Sequence, residues 1–263
     1  MEPVFSVITV HFNQLPWLKS TVNNVLAQKG FGELIEYIIV DGLSNDGTLD
    51  YLHSLQFQNS IQRIIGRDKG IYDAMNKGVA LAKGKYCIFI NAGDHFISDD
   101  ILFQIHTAFS DFEILYGDTE INYHDFTRTA SALPLNTFWK ALPFVHQSVI
   151  VKTSLLKDHP FDLNWRYCAD YELLASMYKA GNTFQYLNKT ISVVMAGGAS
   201  DINRTKATSE VFSISKKIFR IGFLKKINFR FRIFTGWIII GIKKIFPKKA
   251  NGKLARVKYG LKK

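Results

Sequence analysis

The chain has 263 residues, 47% hydrophobic, 21% charged and 14% aromatic; this excludes a disordered protein, a coiled coil or a collagen and is ample for a real core. A formal charge of +11 would by itself suggest a nucleic-acid binder. The charge is split, however: sixteen of the 33 Lys and Arg lie in residues 216–263, which hold no Asp or Glu, whereas residues 1–215 carry 17 basic and 22 acidic residues, a net of −5.

A β-branched apolar run predicts a first strand over 4–12. Asn13 is placed to cap the next helix, with Pro16 tolerated in its first turn. Leu15, Leu18, Val22, Val25 and Leu26 share one face of that helix, and Gly30 and Gly32 end it. A short apolar run over 37–40 reads as a strand buried on both faces, followed by a turn-rich segment over 41–48. Further strands are expected over 61–65 and 86–90, and helices over 71–82 and 100–109. This order predicts a mainly parallel sheet with helices on both faces.

The regularity changes beyond residue 118. Residues 120–130 alternate loosely, as in an antiparallel strand, and 144–151 form another apolar run. A helix is expected over 169–180, with Leu173, Leu174 and Met177 inward and Gly181 closing it. Short strands follow over 184–187 and 190–194. Cys87 and Cys168 are too few for a disulfide framework and lack metal-site spacing, so a reducing, cytosolic compartment is expected. Residues 1–10 show no basic region before their apolar run and do not read as a signal peptide.

In such sheets ligands sit at the carboxyl ends of the strands. Three polar segments at that edge each contain an aspartate: Asp41, Asp68 and Asp94. Asp and Gly also make ordinary turns, but three aspartates on one edge favour a site. The first strand-helix turn, His11-Phe-Asn-Gln14, has no glycine, and no Walker lysine motif or G-x-S-x-G elbow occurs. A phosphate-bearing ligand in so acidic a cleft needs a divalent cation, and aspartate oxygens suit Mg²⁺ or Mn²⁺.

With these residues in view the chain resembles the family 2 glycosyltransferases, inverting nucleotide-sugar enzymes with the GT-A fold. The matching pieces are Phe5-Ser-Val-Ile-Thr-Val-His-Phe-Asn13, Ile38-Ile-Val-Asp-Gly-Leu-Ser-Asn-Asp-Gly-Thr48, Asp68-Lys-Gly-Ile-Tyr-Asp-Ala-Met-Asn-Lys-Gly78 and Gly84-Lys-Tyr-Cys-Ile-Phe-Ile-Asn-Ala-Gly-Asp94, then His146-Gln-Ser-Val-Ile-Val151 and Ala169-Asp-Tyr-Glu-Leu173. Each piece is weakly specific, but the ordered set over residues 3–200 is strong, and its flavour is that of bacterial surface-polysaccharide assembly. The resemblance implies a GT-A domain over 1–205, with a nucleotide-sugar half (1–118) and an acceptor half (119–205). It also implies that Asn13, Asp41 and Asp68 border the nucleoside and that Asp94 binds the metal on the diphosphate. Asn91 stands where an acidic residue is frequent in the motif, which leaves Asp94 as the one charged ligand. Asp170 matches the general base; the alternative for it is a plain helix N-cap. The resemblance sets His146 and Gln147 on the acceptor or diphosphate side, with a core hydrogen-bonding role as the alternative. Trp139, Phe144, Trp165 and Tyr167 gather in this half as sugar-stacking or core residues.

The remaining residues, 206–263, read as a basic amphipathic helical extension. Val211, Ile214, Ile218 and Ile221 share one side of a helix, with Phe212, Phe219 and Phe223 extending the arc and Lys216, Lys217 and Arg220 opposite. Phe229, Phe231, Phe234, Trp237 and Ile238 to Ile240 then alternate with basic clusters. The apolar stretch over 233–242 is shorter than the ~20 residues needed to span a bilayer. The expectation is an interfacial segment on an anionic membrane, with a core-packing helix as the alternative; no nucleic-acid partner is expected. Together these features predict a peripheral enzyme on the inner face of the cell membrane. It would transfer sugar from a UDP- or GDP-linked donor to a lipid-linked saccharide, with Mg²⁺ or Mn²⁺. The rival readings are a nucleotidyl or phosphoryl transferase and a non-catalytic sugar-nucleotide or membrane-binding module.

Overall fold

A computed structural model describes residues 2–55, 60–109, 111–123, 125–198 and 203–245. The first half contains β1 (Phe5–His11), α1 (Leu15–Leu26), β2 (Ile35–Asp41), α2 (Thr48–Ser54), β3 (Ile61–Ile65), α3 (Ile71–Leu81), β4 (Tyr86–Phe89), β5 (His95–Phe96) and α4 (Ile101–Ala108). The second contains β6 (Ile114–Asn122), β7 (Thr127–Ala130), β8 (Val149–Lys152), α5 (Thr153–Asp158), α6 (Ala169–Ala180), β9 (Phe184–Met195), α7 (Arg204–Phe219) and α8 (Phe223–Ile245).

Among the described residues one mixed sheet runs in the order β3-β2-β1-β4-β8-β6-β9-β5, with β7 added as a hairpin on β6. Strands β3, β2, β1 and β4 are parallel, as expected. Strand β8 enters antiparallel to β4 and to β6, and β9 lies parallel to β6. The side-chain period of two sorts the strand residues into two cores. Phe5 and Val7 of β1 and Tyr37 and Ile39 of β2 pack under α1, α2 and α4. Ile8, Val10, Ile38 and Val40 face α3 and α6 instead. Gly78 lets α3 close on β1, because a Cβ there would stand 2.6 Å from the Ile8 side chain.

Several local expectations are corrected. Asn13 does not cap α1. It sits in the left-handed region at φ 51, and the free first-turn amide of Leu15 donates instead to Asp46 Oδ2 at 2.8 Å. Helix α1 ends at Leu26, before Gly30 and Gly32. Helix α2, which the sequence pattern does not mark, starts at the last residue of the turn-rich segment and runs on to Ser54. The two short strands near residue 190 are one strand, β9, carried across an irregularity at Asn188 (φ 51). Helix α6 keeps its expected bounds, and Gly181 closes it in the left-handed conformation.

The extension is not uniform. The apolar arc of α7 packs on the body: Ile214 and Ser215 are fully buried, and Ser215 bonds both the Tyr171 hydroxyl and the Trp139 carbonyl. Glu210 accepts the backbone N–H groups of Arg166 and Tyr167. The boundary expected after residue 205 thus falls inside a helix that belongs to the body through residue 219. After Arg220, in the left-handed conformation, α8 turns back antiparallel along α7. Phe229 is buried between Phe212 and Trp139, and Gly236 meets Thr205, where a Cβ would stand 2.7 Å from the hydroxyl. Side chains beyond Ile238 and all of residues 246–263, with the basic clusters expected there, lie outside the described residues.

Candidate active site

The site is built at the carboxyl edge of β1, β2, β3 and β4. The sheet register sets His11 beside Asp41 and Asp41 beside Ile65, so the loops that follow these strands stand in a row. In the first two loops, the Asn13 amide donates to Ser44 Oγ at 2.8 Å, and Asn13 Oδ1 accepts the Asn45 amide at 2.8 Å. An asparagine tolerates the left-handed backbone that this stitch requires. Asp41 is completely buried, and its oxygens accept the Ser44 amide (2.8 Å) and hydroxyl (2.5 Å). In this geometry Asp41 braces the second loop. The third loop closes on the second: Asp68 accepts the Gly70 amide, and a Cβ on Gly42 would lie 2.8 Å from Asp68 Oδ2. The exposed ring of Phe12 flanks the same glycine. Asn13, Asp41 and Asp68 are therefore one constellation.

Asp94 lies in the turn after β4. Thr21 of α1 fixes that turn, with its hydroxyl accepting the Gly93 amide and donating to the Asp94 carbonyl. The Asp94 carboxylate is 7% exposed and accepts Gln147 Nε2 at 2.9 Å and the Met195 amide at 3.3 Å. Burial pushes its carboxyl up to about 6, against those two hydrogen bonds. Asn91 Oδ1 is buried without a donor. A buried acceptor lacking a proton donor, in the same turn as a carboxylate, has the chemistry that fits a hard divalent cation. No group of three His, Cys, Asp or Glu converges among the described residues. His95 is held by Ser20 at 2.8 Å.

Asp170 is in the first turn of α6, and its side chain makes no cap; Cys168 is the N-cap residue. The Asp170 carboxylate is half-buried and accepts the Tyr72 hydroxyl at 2.8 Å on Oδ1. The short turn His146–Ser148 runs between the two aspartates. Gln147 reaches Asp94, while His146 stacks on Phe89 at 5.2 Å and feels the charge of Asp170. Burial pushes the His146 imidazole down, so the ring is neutral at neutral pH. Trp139 and Phe144 are packing residues, the first on Phe229 and the second against Tyr116 and Phe138. Cys168 is buried with its thiol pushed up and makes no activated pair. Tyr72 was not singled out from sequence; its place one residue before Asp73 in the 68–78 segment was the available signal.

The loops after β1, β2 and β3 and the turn after β4 thus stand at one edge of the sheet, and the Tyr72–Asp170 bond joins α3 to α6. The model of Glycosyl transferase family 2 matches residues 6–145, and the chain belongs to that family: it is a glycosyltransferase. It is 30% identical over 176 residues to a PGL/p-HBAD biosynthesis glycosyltransferase of Mycobacterium tuberculosis, covering 65% of this chain and 68% of the relative. The fold is that of solved glycosyltransferases. S. aureus TarS 1-349 in complex with UDP-GlcNAc matches with a TM-score of 0.65 at 16% identity, over 87% of this chain and 69% of that one. The mannosyltransferase PcManGT from Pyrobaculum calidifontis, in complex with GDP-Man and Mn2+, gives the same score and identity over 99% and 81%. The GT-A architecture expected from the sequence is thereby shown.

Proposed function

We propose that the chain is an inverting glycosyltransferase that moves a sugar from a UDP- or GDP-linked donor to a hydroxyl of a lipid-linked saccharide in surface polysaccharide assembly. The observation that carries this reading is the Asp170 carboxylate, held by Tyr72 on one oxygen and joined through the 146–147 turn to Asp94. In-line displacement needs one positioned base on the acceptor side and a stabilised diphosphate on the other. Asp170 takes the acceptor proton as the hydroxyl oxygen attacks the anomeric carbon, and the nucleoside diphosphate departs from the opposite face. The loop constellation of Asn13, Asp41 and Asp68 seats the nucleoside, with Asp41 acting through Ser44. Asp94 and Asn91 would hold Mg²⁺ or Mn²⁺, which when bound neutralises charge on the leaving diphosphate. UDP-GlcNAc and GDP-Man in the two structural neighbours support a nucleotide-sugar donor.

The acceptor reading rests on α8. Its inner side, through Phe229, Arg232 and Gly236, meets α7 and the 139–140 segment. Its other side exposes Leu224, Ile227, Phe231, Phe234 and Ile238 in one stripe at helical spacing, between 45% and 80% exposed. Lys226 and Arg230 border that stripe. An apolar stripe with a basic rim suits the interface of an anionic membrane, and each large apolar side chain contributes roughly 1.5–3 kcal/mol when buried. No described helix is long and apolar enough to cross a membrane. In this reading the enzyme sits on the cytoplasmic face of the cell membrane, where its acceptor is held.

The test of the catalytic reading is Asp170→Asn in the folded protein, assayed with the donor selected from a panel of UDP- and GDP-sugars by thermal shift with and without Mn²⁺. Transfer should fall by at least 100-fold; near-normal transfer overturns the base assignment. For the membrane, the full chain should float with phosphatidylglycerol vesicles, and Phe231→Asp with Phe234→Asp should release it. Equal recovery of the parent with and without such vesicles removes the membrane reading.

A further inference from the structure

We propose that Tyr72 is a positioning residue for Asp170, locking one carboxylate oxygen so that the other faces the acceptor hydroxyl; the inference rests on the base assignment above. The two residues are 98 positions apart in sequence and come from different halves of the fold, α3 and α6. Tyr72 is 8% exposed, and its hydroxyl donates to Asp170 Oδ1 at 2.8 Å. Its ring has no freedom to wander. It stacks on Phe161 at 5.6 Å and 30°, and Phe161 is itself held by two backbone bonds to the Asn76 side chain, one turn further along α3. Phe161 meets Phe89 and His146 edge-on, which closes an apolar wall around the phenol. Among the described residues no hydrogen bond reaches Asp170 Oδ2.

This is the arrangement a carboxylate base needs. A base fixed to within a few tenths of an ångström and a small angle performs far better than one free to rotate, and a neutral donor behind it supplies that orientation without adding a competing charge. Tyr72 cannot exchange roles with its partner, because burial and the neighbouring Asp170 charge both push its phenol well above the ordinary value. It stays a donor throughout the working pH range. The other titratable groups that face Asp170 are His146, from the turn before β8, and Cys168, from the start of α6. Burial pushes the first down and the second up, so neither adds a charge beside the carboxylate that the Tyr72 hydroxyl holds.

Removing that hydroxyl leaves Asp170 Oδ1 without its donor and the carboxylate free to turn. Two readouts test this on the full chain. With the donor selected from the UDP- and GDP-sugar panel, turnover in Tyr72→Phe should drop on the order of 10-fold with the donor KM unchanged. In protein carrying ¹³C-labelled aspartate carboxyls, the Asp170 resonance is identified by its loss in Asp170→Asn. That resonance should move when Tyr72 is replaced by 3-fluorotyrosine, a stronger donor of nearly the same shape, which covers the case in which Tyr72→Phe folds poorly. An unmoved resonance, or parental turnover in a folded Tyr72→Phe, overturns the proposal. A raised KM at constant kcat would instead mean a merely structural tyrosine. If Asp170→Asn keeps normal transfer, the base reading fails on its own, whatever the Tyr72 variants do.

Discussion

At the scale of single residues, the site is held by side chains that satisfy backbone groups of neighbouring loops. Asp46 is the clearest case: it binds the Thr48 hydroxyl at 2.6 Å and caps α1 through Leu15. The Thr48 hydroxyl first, and the Leu15 amide next, hold its carboxyl below the ordinary range. A depressed native value means that the stabilisation is present above the ordinary carboxylate range and is lost as pH falls through the native value. Asp46→Ala should therefore cost about 1 kcal/mol at pH 7, and the gap in Tm from the parent should close in acid. Gly42→Ala makes a different test. Its methyl would press on Asp68 Oδ2, so donor affinity should fall while vesicle flotation is unchanged. The strand pattern puts Asp41, Asp68 and Asp94 at one edge of the sheet, and the family resemblance points to Asp170. The Asp46 cap and the Tyr72 bond were not legible in the sequence, because each joins segments whose approach depends on the sheet register and not on local pattern.

At the scale of elements, periodicity located β1, β3, α3 and α6 to within a residue or so, since each has one buried stripe or a continuous apolar run. It could not say what covers an apolar arc. The arc of α7 is covered by the body, and the stripe of α8 is covered by nothing among the described residues. The two have similar composition, and only packing distinguishes them. Phe229 is the peg between them. Phe229→Ala should cost about 3 kcal/mol, seen in denaturant melts, and should raise amide exchange in α8 before that in α6. Equal exchange in both helices would mean that α8 is not docked through this ring.

At the scale of the molecule, the mainly parallel half with helices on both faces was legible, and the way the second half joins it was not. Residues 119–205 do not form a separate layer. Strand β8 enters the sheet between β4 and β6, and β9 lies between β6 and the short β5. The halves on either side of residue 118 share a single sheet. The reason is topological: antiparallel and long-range parallel pairings leave no periodic mark that names the partner strand.

The position of β8 also bears on how the chain is made. Until residues 149–152 have left the ribosome, β4 has no neighbour on one side and β6 has no strand that ties it to β4, and β5 has no partner before β9 emerges near residue 195. A nascent chain of the first 118 residues therefore presents an open apolar strand edge, the kind of edge that recruits other chains. Such a fragment should collect in the insoluble fraction when expressed alone, whereas a chain carried through residue 219 should not. The sheet is thus one that closes late in synthesis.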